Sequence, residues 1–287
     1  MRVIDDVEQT RAYARSLRRP LGLVPTMGAL HEGHLSLVRA ARRDCASVAV
    51  SIFVNPTQFG PNEDFASYPR DLERDLALLR DEGVDLVFVP SVEQVYPPGF
   101  DTTVSLQRTA ARLEGAHRPG HFAGVATVVA KLFIIIEPNR AYFGQKDGQQ
   151  TIVVRRMTQD LNLPVEIVVL PTVREPDGLA MSSRNVYLTP EERRAAPALY
   201  RGLRRATELF EAGERDAETL RQAVRAVVAG EPLIALEYVS LAALDTLDEL
   251  ERVDRPAMLS LAARLGHARL IDNVLLPPPT DTRQGGR

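Results

Sequence analysis

The stretch Leu21-Gly22-Leu23-Val24-Pro25-Thr26-Met27-Gly28-Ala29-Leu30-His31-Glu32-Gly33-His34 decides the fold. Leu21 to Pro25 is a short apolar run broken by proline, which predicts a buried strand ending in a loop. Leu35 to Arg43 then reads as a helix. The residues between them lie where a strand ends and a helix begins. Free backbone N–H groups and the helix dipole at such an entrance favour phosphate. His31 and His34 can donate hydrogen bonds to phosphate oxygens there and stabilise charge that grows during displacement. Gly28 and Gly33 permit a backbone approach that a side chain would block. The pattern is not that of zinc proteases, which place histidines four apart on a helix with glutamate beside the first. By spacing alone, a pair of loop histidines without chemistry stays open.

Outward from this stretch the same alternation repeats. Residues 2–19 read as a short strand and an amphipathic helix, and Val48 to Val54 as a second buried strand. Asp71 to Glu82 is a polar-faced helix, followed by strand Leu86 to Pro90. Ala126 to Ile136 suggests a buried helix, Arg140 to Phe143 a brief strand, Thr151 to Leu161 a helix, and Val165 to Leu170 a further strand. Apolar strands alternating with helices imply an α/β fold with a parallel sheet covered on both faces. Ligands then bind beyond the carboxyl ends of the strands. The Pro25 loop and the Asn55-Pro56-Thr57-Gln58 loop both follow strands, which puts them on one rim.

From about Asp177 the texture changes. Thr189-Pro190-Glu191-Glu192 is a helix start, with a capping threonine, a proline at the first turn and acids for the dipole. Helical patterns run from Arg193 to Ala212 and from Ala217 to Ala229, and Leu236 to Leu241 and Ala257 to Ala262 alternate like strands. This predicts residues 1–175 as a nucleotide-binding domain and 176–276 as a smaller C-terminal α+β lid domain. A hinge loop falls near 176–188, and residues 277–287 form a proline-rich, disordered tail.

The bulk numbers exclude several classes. The chain has 287 residues, is 45% hydrophobic and 25% charged, and carries a net charge of -3. That is an ordinary globular enzyme without a global basic footprint, so no nucleic-acid partner is expected. Cys45 is the single cysteine, which rules out an intramolecular disulfide and reads as a buried structural thiol. The N-terminus lacks an apolar signal core, and the apolar stretch from Val125 to Ile136 is interrupted by Lys131 and too short for a bilayer. A cytoplasmic, membrane-free protein is the expectation.

Three further segments carry chemistry. In Gly144-Gln145-Lys146-Asp147, after the strand ending at Phe143, the lysine can pair with a triphosphate. Asp147 can hold a ribose, the lysine or Mg²⁺. There is no GxxxxGK[ST] and no GxGxxG. In Met181-Ser182-Ser183-Arg184-Asn185 two hydroxyls and an arginine can grip phosphate oxygens, and a loop at a domain junction can close over a site. Asn55, Gln58 and Gln150 are amides suited to a hydroxyl- and carboxylate-bearing substrate. The loop His117 to Phe122 adds Arg118 and His121, which can neutralise a carboxylate or phosphate, and Asp75 can reach Mg²⁺.

Taken in order, these segments closely resemble the pantothenate synthetase (pantoate–β-alanine ligase) family of the HxGH nucleotidylyl-transferase superfamily. The resemblance runs over nearly the whole chain: Pro25 to His34, Phe53 to Gly60, Tyr68 to Asp71, Arg118 to Phe122, Tyr142 to Asp147 and Met181 to Asn185. It implies a Rossmann-like sheet domain and a homodimer. It also implies a two-step ligation in which ATP activates (R)-pantoate as pantoyl adenylate and β-alanine then displaces AMP. His31 and His34 would stabilise the pentavalent transition state, with His34 the proton donor. Lys146, Ser182, Ser183 and Arg184 would bind phosphates, Gly144 and Asp147 would hold the nucleoside, Gln145 would belong to the same ATP site, and Met27 and Val173 would flank the nucleotide. Gln58 and Gln150 would bind pantoate, Gln58 would also touch β-alanine, and Mg²⁺ would travel with ATP. Ile134 and Gly148 depart from the pattern, where asparagine and alanine are usual.

Overall fold

A computed structural model describes residues 1–61 and 63–278. The expectation for the tail therefore lies almost wholly outside the described residues. The chain divides into two compact units, residues 1–145 with 149–173, and residues 146–148 with the chain from Arg174 onward.

In the first unit the order is β1 (Arg2–Ile4), α1 (Val7–Ser16), β2 (Leu21–Thr26), α2 (Glu32–Asp44) and β3 (Ser47–Ile52). There follow α3 (Leu72–Asp81), β4 (Leu86–Phe88), the short α4 (Val92–Val95) and α5 (Glu114–His117), and α6 (His121–Ile136). The run ends with β5 (Arg140–Gly144), α7 (Gly148–Asp160) and β6 (Glu166–Leu170). The six strands form one sheet in the order β1-β4-β3-β2-β5-β6, and neighbouring strands pair in parallel throughout.

Side-chain alternation sorts the core into two layers. Leu21, Leu23, Ala49, Leu86, Phe88, Ala141 and Phe143 face a cluster that includes Ala14 of α1, most of α6, and Val153, Val154 and Met157 of α7. Val24, Val48, Val50, Val87 and Tyr142 face the opposite cluster, with Val38 and Ala41 of α2 and Leu79 of α3. Helices thus cover both faces, as the apolar strands require. Gly22 lets α2 lie close: a Cβ there would meet Cys45 Sγ at 3.1 Å and Ala41 Cβ at 3.2 Å. Cys45 is buried, with its Sγ 3.4 Å from Tyr142 Oη, in keeping with a structural thiol. Proline does not end β2. Pro25 stays in register with Ser51 of β3, while pairing with β5 covers only Gly22 and Leu23, so the missing N–H leaves a gap where the ladder has already stopped.

The second unit holds α8 (Pro190–Ala195), α9 (Ala198–Glu211), α10 (Ala217–Val228), β7 (Ala235–Ala243), β8 (Ala257–Leu265) and β9 (Ala268–Leu276). The three strands form an antiparallel sheet, and their inward residues pack with α9 and α10 in a core of their own. The helix expected over Arg193 to Ala212 is two helices, divided at Pro197. The Thr189 cap forms as a reciprocal box: Glu192 N donates to Thr189 Oγ1 and Thr189 N to Glu192 Oε2. Strand β9 has no counterpart in the sequence reading. Asp272 and Asn273 interrupt its apolar pattern, yet both are buried. Arg174 explains the first, reaching Asp272 through two bonds of 2.6 and 2.9 Å.

Candidate active site

The strand order along the sheet reverses beside β2. From it, β3 and β4 follow on one side, and β5 and β6 lie on the other. Ligands of open α/β sheets bind at such a switch point, beyond the carboxyl ends of the strands. The segments leaving β2, β3 and β5 there are Met27 to His31, Phe53 to Gln58 and the turn beginning at Gln145.

The loop after β2 is held tightly. Thr26 Oγ1 donates to Ser51 O at 2.7 Å and accepts from Gly28 N at 3.2 Å. Gly28 and Ala29 take positive φ values, +83° and +49°, a conformation that favours glycine. What compels Ala29 into it is Asp75. Its two carboxylate oxygens accept from Ala29 N and Leu30 N, each at 2.8 Å, and Arg74 Nη1 donates to Leu30 O at 3.0 Å. Asp75 is 0% exposed. Burial pushes its pKa up, and the two backbone bonds oppose that rise. Asp75, expected as a Mg²⁺ contact, has both oxygens engaged by backbone and so shapes the loop.

Helix α2 begins earlier than expected, and both histidines belong to its cap. Gly33 N donates to His31 Nδ1 at 3.2 Å, and His31 N donates to His34 Nδ1 at 3.4 Å, a capping box made of imidazoles. The ring centroids are 4.1 Å apart. Accepting at Nδ1 puts the proton of each neutral ring on Nε2, as a donor. The other side chains of Pro25 to His34 divide by role. Thr26 and Leu30 are buried, so they shape the loop, and the exposed Glu32 pairs with Arg39, so its carboxylate is turned to an ion pair.

The loop after β3 meets the first one: Gln58 Nε2 lies 3.3 Å from Met27 Sδ. Asn55, expected as a substrate contact, is 1% exposed, with its amide fully used inside the fold. Its Oδ1 accepts from Thr57 Oγ1 and Tyr96 Oη, and its Nδ2 donates to Gln58 Oε1 and Gly124 O. Arg118 and His121 also act behind Gln58. Arg118 forms a fork on Glu63 at 2.7 and 2.6 Å, so its charge is already matched. Burial would raise Glu63, but the Arg118 bonds and charge outweigh it and hold that carboxylate below its usual range. His121 Nδ1 lies 2.8 Å from Gln58 O, and burial followed by the Arg118 charge pushes its pKa down to about 4. It is neutral at pH 7. These two residues, expected to neutralise a carboxylate or phosphate, support Gln58 at its carbonyl in this structure.

Gln150 is half-buried in the first turn of α7. Its neighbour Gln149, which no sequence signal marked, donates to Thr109 O and Arg112 O and accepts from Glu114 N. Gly144, Gln145 and Val173 belong to the first unit, and Lys146, Asp147 and Met181 to Arg184 to the second. Within the second unit Lys146 and Ser182 line one small cleft with Asn185 and Asp272. Asn273 Nδ2 holds Lys146 O at 2.9 Å, and Lys146 Nζ pairs with Asp147 Oδ1 at 3.3 Å. Ser182 Oγ accepts from Arg184 N at 3.2 Å, opening the 3-10 turn Ser183–Tyr187. Among the described residues no group of three or more His, Cys, Asp or Glu side chains is arranged to hold a metal ion. No helix among them is long and apolar enough to cross a membrane.

The sequence profile of the pantoate-beta-alanine ligase family matches residues 2–275. The chain belongs to that family. It is 64% identical over 277 residues to the pantothenate synthetase of Chloroflexus aurantiacus, spanning 96% of this chain and 98% of that one. The pantothenate synthetase of Roseiflexus sp. strain RS-1 is also 64% identical, over 96% of this chain and 99% of its own. Among solved structures, pantothenate synthetase from Thermus thermophilus superposes with a TM-score of 0.93 at 51% identity, covering 97% of this chain and 100% of that one. Pantoate-beta-alanine ligase from Francisella tularensis, complexed with beta-gamma ATP and beta-alanine, gives 0.79 at 37% identity over 96% and 97%. The two departures from the family pattern have local accounts. Ile134 is 55% exposed, so it costs the core nothing. A Cβ on Gly148 would lie 2.6 Å from Met258 Sδ, so glycine here accompanies that methionine.

Proposed function

We propose that the protein condenses (R)-pantoate with β-alanine at the expense of ATP, giving pantothenate, AMP and pyrophosphate. Beside family membership, the observation that carries this reading is the imidazole capping box at the switch point. It makes Nε2 the protonated nitrogen of each neutral ring, beside the N-terminus of a 13-residue helix. In the first step a pantoate carboxylate oxygen attacks the α-phosphorus and pyrophosphate leaves. His31 and His34 offer hydrogen bonds to oxygens that gain charge, with His34 the proton donor. In the second step the β-alanine amine attacks the acyl carbon and the C–O bond to AMP breaks. AMP is a good leaving group, so the protein's task is alignment. Lys146, Ser182, Ser183 and Arg184 bind phosphates, Gly144 and Asp147 hold the nucleoside, Gln145 belongs to the same ATP site, and Met27 and Val173 flank the nucleotide. Gln58 and Gln150 hold pantoate.

Mg²⁺ accompanies ATP in this reading. The absence of a carboxylate cluster among the described residues and the engagement of Asp75 by backbone fit an ion carried on the triphosphate. Bound there, it neutralises phosphate charge. We further assign residues 176–276 as the lid domain, with a hinge loop near 176–188, and place the enzyme in the cytoplasm as a homodimer, which light scattering tests. Incubation with ATP, pantoate and β-alanine should release AMP and pantothenate only when all three are present. His34→Ala and Lys146→Ala should each lower turnover by roughly 10²–10³-fold with the fold intact. AMP release indifferent to β-alanine would refute the assignment.

A further inference from the structure

Gln58 carries an amide that can present either an oxygen or an NH₂ group to a ligand, and the choice is made behind it, at Asn55. The chain of bonds has a single allowed direction. Gly124 O can only accept, so the Asn55 atom 3.2 Å from it is the NH₂ group. Asn55 Oδ1 therefore faces the other way, where Thr57 N at 3.4 Å can only donate. Tyr96 Oη, 2.8 Å from Asn55 Oδ1, and Thr57 Oγ1, at 2.9 Å, complete that oxygen as donors. The Asn55 NH₂ group also lies 3.1 Å from Gln58, so the Gln58 atom it meets is Oε1. Gln58 Nε2 is left pointing to the loop after β2, where it meets the weak acceptor Met27 Sδ.

We propose that Tyr96 is a positioning residue for the ligase reaction: it reinforces the Asn55 orientation that Gly124 O and Thr57 N select, and through Asn55 it holds Gln58 as a hydrogen-bond donor, so that this position reads oxygen acceptors of the acid substrate. The statement rests on the pantoate reading above. Tyr96 itself is well placed to hold a fixed orientation. It caps α4, its ring packs against Phe53 and Phe100 at centroid distances of 6.2 and 5.1 Å, and Lys131 Nζ lies 5.9 Å from its centroid. The backbone of Gln58 is pinned separately by Arg118 and His121 at its carbonyl, so the side-chain relay sets polarity and not location.

The test is Tyr96→Phe, which keeps the ring and removes the donor. Loss of one neutral hydrogen bond corresponds to about a three- to tenfold effect. KM for pantoate should rise by that factor, with KM for ATP and the melting temperature nearly unchanged. In a Gln58→Glu background, where no donor remains to be oriented, the same substitution should add less than about twofold. Thr57→Val removes the second hydroxyl donor to Asn55 Oδ1 and should act in the same direction, which keeps the test available if Tyr96→Phe does not fold. An unchanged KM for pantoate, parallel rises for pantoate and ATP, or full additivity with Gln58→Glu would overturn the relay. Wild-type protein in the same assay separates the two levels: if it makes no pantoate-dependent AMP, the function assignment itself fails.

Discussion

At the scale of single residues, the side chains expected to touch substrate sort into two groups by what they hold. His31, His34 and Gln58 reach the rim, whereas Asn55, Asp75, Arg118 and His121 orient what the others present. Sequence can mark both groups, because both sit in recognisable segments, but it cannot separate them. The partners that decide the matter, Glu63 for Arg118 and Leu30 N for Asp75, are 55 and 45 residues away. His121 yields a prediction at this scale. Its ring takes up a proton at about pH 4 in the folded protein, against an ordinary 6.5. Between those values the unfolded chain binds more protons, so stability present above pH 6.5 falls as the pH is lowered toward 4. Urea unfolding across that range should show wild type losing on the order of 2 kcal/mol more than His121→Gln. Equal losses would mean that the ring is solvated in the native state.

At the scale of elements, the strands of the sheet were legible because each carries an apolar run bounded by turn residues, and their order explains where the loops meet. Boundaries were less so. Helix α2 starts at Glu32 because two imidazoles can cap a helix, a use of histidine that propensity does not signal. Helix α6 starts at His121 and approaches the 3-10 turn Pro56–Gln58 through Gly124. A Cβ at Gly124 would fall 2.4 Å from Thr57 O and 2.8 Å from Gln58 N. Alanine normally favours a helix over glycine by about 1 kcal/mol. Here the clash is with backbone, which cannot swing aside, and overpacking costs about 1–3 kcal/mol. Gly124→Ala should therefore lower the melting temperature and raise KM for pantoate together, since the displaced turn carries Gln58. A melting temperature at or above wild type would show that the turn yields without cost.

At the scale of the whole molecule, the second unit has a core of its own and a buried ion pair within it. Asp272 is 3% exposed, its Arg174 partner is stacked 3.6 Å from the Tyr200 centroid, and Asn273 beside it holds the carbonyl of Lys146. Removing one partner of such a pair costs about 3–5 kcal/mol because the other charge stays buried. Asp272→Asn should thus reduce hydrogen-exchange protection in β7 to β9 while β1 to β6 keep theirs; uniform loss would mean that the two units unfold as one. The alternating α/β sheet, the loop from Pro25 to His34 at the carboxyl end of a strand and the family could all be read from the amino-acid order. Those features rest on local periodicity and on contiguous motifs. It took the folded chain to reveal that Asp75 clamps the loop and that Asn55 and Tyr96 stand behind Gln58. The same holds for the grouping of Lys146 with the second unit and for the buried aspartate that β9 carries. Each depends on a partner distant in the chain, and the free energy of a buried polar group is set by that partner and not by its neighbours in sequence.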